Sequence, residues 1–179
     1  MADTKDWTWV LDRACGECDF DSRTVTPEQV ALLIAEVARV WVALVESTPE
    51  AALRERPAPD RWSTLEYACH VRDVCKVMDS RLALLLVEED PEFANWDQDA
   101  TAVADRYDAQ DPRTVAIELV AAADAIAERI AAVQPEQWSR TGRRSDGARF
   151  SAGSLMRYFL HDPVHHLHDV GIAWQPGPR

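Results

Sequence analysis

The sequence predicts an all-α fold: a four-helix bundle with one long crossover connection. Three observations predict it. Four stretches carry apolar residues at helical spacing, helix-start signals stand ahead of three of them, and no convincing run alternates in the manner of a strand.

The first helix opens at Thr26-Pro27-Glu28-Gln29. Thr26 supplies a cap, and Pro27 is tolerated because an N–H in the first turn has no helical partner. Val30, Leu33, Ile34, Val37, Val40, Trp41 and Leu44 then carry an apolar face to about Ser47. The second helix opens on the capping box Ser63-Thr64-Leu65-Glu66. It continues through Leu65, Cys69, Val74, Val77, Met78, Leu82 and Leu85 to roughly Glu89. The third begins at Asp111-Pro112 and runs through Val115, Leu119, Ala122, Ile126 and Ile130 towards Gln134. The fourth spans approximately Ala152 to Ile172.

Pro57-Ala58-Pro59-Asp60-Arg61-Trp62 reads as a stiff connector between the first two helices. The acidic stretch holding Pro91 and Trp96 reads as a loop crossing the bundle, and residues 139–150 as a small hairpin or ordered loop. At 179 residues a single core is the default. The expected organisation is one domain over 1–179, with 1–25 as an N-terminal extension and 26–172 as the bundle.

A formal charge of −12 argues against nucleic-acid partners and anionic membrane surfaces, which need clustered Lys and Arg. The start of the chain is polar where a signal peptide would be apolar, and no apolar run nears the ~20 residues of a membrane span. A cytoplasmic location is expected. Arg140, Arg143, Arg144 and Arg149 crowd one short stretch, readable as an anion subsite or as a solvated loop balancing nearby acids. Cys69 and Cys75 fall within a helical pattern and read as small core residues. Cys15-Gly16-Glu17-Cys18 is half a zinc ribbon with no second pair, or a redox pair lacking its strand-to-helix context; its role stays open.

Histidines carry the chemistry. His161 and His165 stand four apart, so on a helix both rings lie on one face and can reach one ion. A third ligand from another helix would leave a coordination position open, the arrangement of catalytic zinc. The alternative is a pair of ordinary helix-end residues. His166 points about 100° away from His165. His168, seven after His161, could approach the same face. Glu66, Asp73, Asp162 and Asp169 are candidates to orient the imidazoles through hydrogen bonds.

Arg61-Trp62-Ser63-Thr64-Leu65-Glu66-Tyr67-Ala68-Cys69-His70-Val71-Arg72-Asp73, together with the late His-x-x-x-His, resembles the DinB/YfiT-like superfamily from about residue 26 to residue 172. The resemblance implies a four-helix bundle with a three-residue metal site, here His70, His161 and His165. Relatives include thiol-dependent transferases and the mycothiol-dependent maleylpyruvate isomerase. It therefore implies a divalent ion (zinc foremost, with nickel or iron as alternatives) and mycothiol as a candidate thiol, while the arginine cluster offers Arg143 and Arg144 as candidate contacts for a bound anion. Pro163 departs from the pattern, since it either bends the helix or starts a new segment capped by Asp162.

An ion held by three imidazoles stays strongly Lewis acidic. Three functions follow: an enzyme activating a low-molecular-weight thiol against a small electrophile, a hydrolase activating water, or a metal-binding module without turnover. The expected partners are a small-molecule substrate and the thiol, with a homodimer left open.

Overall fold

The computed structural model describes residues 7–177; the polar start, Met1 to Asp6, lies outside the described residues. Its bundle consists of four long helices: α1 (Val30–Ser47), α3 (Thr64–Val87), α5 (Pro112–Ala132) and α6 (Ala152–Asp169). Two short helices, α2 (Glu50–Leu53) and α4 (Gln98–Ala104), lie in the connections. α5 packs on both α1 and α3, and α6 closes the bundle against the same two helices.

The helix starts follow from local chemistry. The Ser63 N–H donates to Glu66 Oε2 (2.8 Å) while Ser63 Oγ accepts from the Glu66 N–H (3.3 Å). Asp111 Oδ1 accepts from the Thr114 N–H at 2.8 Å, and Gln29 Oε1 from the Thr26 N–H at 2.8 Å. α6 starts on a reciprocal pair between Ser151 and Ser154. It stops at Asp169, short of Ile172, because Gly171 takes a left-handed φ of 81°. The Gly171 and Ile172 N–H groups then bond back to the His168 and Leu167 carbonyls, both at 2.9 Å, which ends the helix.

A small three-stranded sheet accompanies the helices and adds one strand to the hairpin expected from the sequence. It comprises β1 (Glu92–Phe93), β2 (Thr141–Arg144) and β3 (Arg149–Ser151). β2 and β3 form the hairpin expected near 139–150, turned at Gly147 with φ 96°. β1, from the acidic crossover, adds in parallel with Glu92 opposite Arg143. Strands this short are below the length at which alternation can be read.

Gly142 sits where the sheet meets α3. A Cβ there would lie 2.6 Å from Leu85 Cδ2 and 2.8 Å from the Pro91 carbonyl oxygen. Gly142→Ala should therefore destabilise by about 1–3 kcal/mol, the usual cost of overpacking. A thermal melt checks this, with an expected fall of roughly 2–4 °C per kcal/mol.

The N-terminal segment packs on the bundle. Two 3-10 turns, Thr8–Leu11 and Ser22–Thr24, contact α6 and bury Val10 and Ser22, with Phe20 buried between them. Cys69 and Cys75 are core residues, as their helical setting suggests. Among the described residues no helix is long and apolar enough to cross a membrane.

Candidate metal centre

Pro163 lies inside α6, which neither stops nor restarts there. The ring removes the N–H that the Phe159 carbonyl would have used, yet the helix runs on to Asp169. Continuity has a consequence for the side chains. His161 and His165 form one strip of the helix, and Asp162 and His166 form the next, rotated by about 100°. Both strips carry metal-ligating groups, and they face different neighbours.

The strip of Asp162 and His166 faces α3. His70 Nε2 stands 3.0 Å from Asp162 Oδ1, and His166 Nε2 stands 3.8 Å from the same oxygen. Bonds of about 2.0–2.2 Å to a shared ion produce ligand separations in this range, so the donor set fits a divalent cation. Asp169 Oδ2 lies 2.8 Å from His166 Nδ1. Accepting that N–H fixes the tautomer and leaves the Nε2 lone pair facing the centre. Burial would raise the Asp162 carboxyl, but the His70 and His166 imidazoles hold it well below the usual carboxylate range. Trp96 stacks on His70 at 5.2 Å, Trp62 lies 5.4 Å from the same ring, and Tyr67 lies 4.8 Å from His166. His70 is fully buried, while the Asp162 side chain keeps 27% of its surface. The centre is therefore buried at His70 and half-open at Asp162.

His161 and His165 do not share this group with His70, which corrects the set His70, His161 and His165. They meet Cys15 and Cys18 of the N-terminal segment instead. The physical reason is the one-residue offset on a continuous helix: α3 lies against one strip and the N-terminal segment covers the other. Burial pushes His161 down to about 4, with His165 adding to the effect. Burial also raises Cys18 to about 12 against the Phe20 amide, with Cys15 contributing. His168 is exposed and belongs to neither group.

Of the other candidates, Asp162 proves a ligand candidate itself and Asp169 the carboxylate behind it. Glu66 caps α3 and pairs with Arg56. Asp73 accepts from Tyr107 Oη at 2.6 Å and pairs with Arg72, tying α3 to the segment before α5. Arg143 is engaged by Glu92 and Asp90 at the sheet, and Arg149 by Asp90. Arg140 donates to the Leu85 and Glu88 carbonyls at the end of α3. Arg144 differs: it pairs with Asp146 but also reaches Tyr158 Oη at 3.4 Å, one helical turn before Asp162.

A helical bundle with two histidines and a carboxylate converging between facing helices belongs to the metal-site bundles as a class. Residues 33–170 match the family pattern of the DinB superfamily, and the chain belongs to that family. Its fold is similar to that of YfiT from Bacillus subtilis, described as a probable metal-dependent hydrolase with an unusual four-helix bundle topology. The two chains share 19% identity at a TM-score of 0.72, over 79% of this chain and 82% of that one. No curated protein matches the chain.

Proposed function

We propose that the protein is a metal-dependent enzyme whose His70, Asp162 and His166 hold a divalent ion for attack on a small electrophile by a thiol or by water. One observation carries this reading: two imidazole nitrogens and a carboxylate oxygen converge at a half-open rim. Two histidines and a carboxylate with a free position form a catalytic zinc set, and the same donors also suit ferrous iron. When bound, such an ion supplies Lewis acidity, lowering the pKa of an incoming nucleophile and polarising the electrophile.

The chain's own residues do the rest. Asp169 orients His166, and the Trp62, Tyr67 and Trp96 rings keep solvent from the inner side. Arg144 is the residue we assign to a carboxylate or similar anionic group of the substrate, a reading supported by its contact with Tyr158, one turn before Asp162. Arg143 is turned to the sheet acids and takes no part. The thiol is of low molecular weight, with mycothiol as the candidate. Water as nucleophile is the second reading, favoured by the likeness to YfiT.

The test is a substrate screen on untagged protein loaded with Zn2+ or Fe2+. Electrophiles are offered with and without thiol, beside ester and amide substrates. Metal-dependent turnover that requires thiol supports transfer, and turnover without thiol supports hydrolysis. Asp162→Asn should reduce either rate by more than about 100-fold, beyond the 10–100-fold typical of residues behind the ligands. Metal retained without turnover on any substrate would sink the enzymatic reading.

A further inference from the structure

We propose that Cys15, Cys18, His161 and His165 form a second metal site, closed and structural, which takes Zn2+ and pins the N-terminal segment to α6. It is separate from the half-open centre and does not depend on that centre's function.

The four donors lie within 4.8 Å of one another, and all four residues are buried. Cys15 Sγ stands 3.6 Å from His165 Nδ1. Tetrahedral zinc, with bonds of about 2.3 Å to sulfur and 2.0–2.1 Å to nitrogen, separates such a pair by roughly 3.5 Å. Two thiolates and two imidazoles are the donors of structural zinc, and four protein ligands leave no position for substrate.

The backbone builds the site. The Cys15 N–H bonds to the Phe20 carbonyl and the Asp19 N–H to the Cys15 carbonyl, both at 2.9 Å. Asp19 takes a left-handed φ of 59°, so the chain reverses around Cys15-Gly16-Glu17-Cys18 and brings both thiols to one side. The two histidines come from α6 four residues apart, one turn of the same strip.

Two further observations point to a ligand. His161 Nε2 is buried without a hydrogen-bond partner, which native interiors rarely tolerate. A bound ion would satisfy it, whereas four buried side chains packed as ordinary core would leave it orphaned. His165 Nε2 faces the carboxylates of Glu17 at 3.7 Å and Asp169 at 4.0 Å. Both carboxylates lie near the ring nitrogen that does not face Cys15, where negative charge favours an imidazole that ligates through Nδ1. Trp7 covers the pair at 5.6 Å from His161 and 5.0 Å from His165, keeping the site dry. Asp169 touches both centres, its Oδ2 on His166 and its Oδ1 towards His165.

The experiment is a Co2+ titration of the full, untagged chain, stripped of metal and kept reduced. Cobalt bound to thiolate gives a charge-transfer absorption in the near ultraviolet that imidazole and carboxylate ligands do not. Two equivalents should bind, one of them with the thiolate band, and Zn2+ should abolish the band by displacement. The band should vanish in Cys15→Ser/Cys18→Ser with one equivalent retained, and persist in His166→Ala. No thiolate band in the unsubstituted protein at saturating Co2+ would overturn the proposal, whether or not the variants fold. A band that survives in folded Cys15→Ser/Cys18→Ser would overturn it too, since Cys69 or Cys75 would then be its source.

Discussion

Asp162→Ala and His166→Ala will each weaken divalent-metal binding at the half-open centre by more than about 100-fold, while His161→Ala will leave that centre in the range of the unsubstituted protein. Residues behind metal ligands are worth about 10–100-fold in affinity, and a direct donor is worth more. Asp162 matters doubly, because it is the centre's carboxylate and both imidazole nitrogens face its Oδ1. Asp169→Asn, acting only through His166 Nδ1, should fall within the 10–100-fold range. Competition with a chromophoric chelator measures all four variants. If His161→Ala emptied both sites and Asp162→Ala emptied neither, the grouping of His70 with His161 and His165 would be restored.

Trp41→Ala will cost about 3–5 kcal/mol, the usual range for emptying a buried aromatic site. Trp41 is fully buried in α1, and its Nε1 donates to the Pro163 carbonyl at 3.2 Å. The truncation therefore opens a cavity and removes a bond that the Pro163 carbonyl accepts in addition to its helical one. Against a total stability of about 5–15 kcal/mol this is a large share. The melting temperature should fall by roughly 6–20 °C, at about 2–4 °C per kcal/mol for a chain of this size. Trp41→Phe keeps much of the volume and loses mainly the bond, so its fall should be clearly smaller. Equal losses in the two variants would show that the hydrogen bond, and not the packing, carries the effect. Pro163 follows Asp162 directly, so Trp41→Ala should also weaken metal binding at the half-open centre.

The helices are legible in the sequence because their signals are local. Ser63 with Glu66, Asp111 with Thr114, and the apolar spacing from Val30 to Trp41 all act within a turn or two of chain. The apolar pattern carries the expected end of α6 too far, although Gly171 is a stop signal that lies in plain view. β1 is not legible, because two residues cannot show a period and its partner lies some fifty positions away. The same division runs through the metal residues. Spacing and family resemblance mark the end of α6 as ligand-rich and single out His70, and the pair Cys15 and Cys18 stands out by composition. A spacing of four is satisfied equally by His161 with His165 and by Asp162 with His166, so sequence alone prefers the pair with two histidines. Which strip faces α3 and which faces the N-terminal segment depends on the rotation of α6. That rotation is set by packing against α1 and α3 and by the Trp41 bond to Pro163, which joins residues more than a hundred positions apart. Local chemistry determines that a helix forms and which groups it carries; only tertiary packing decides which neighbour each group meets.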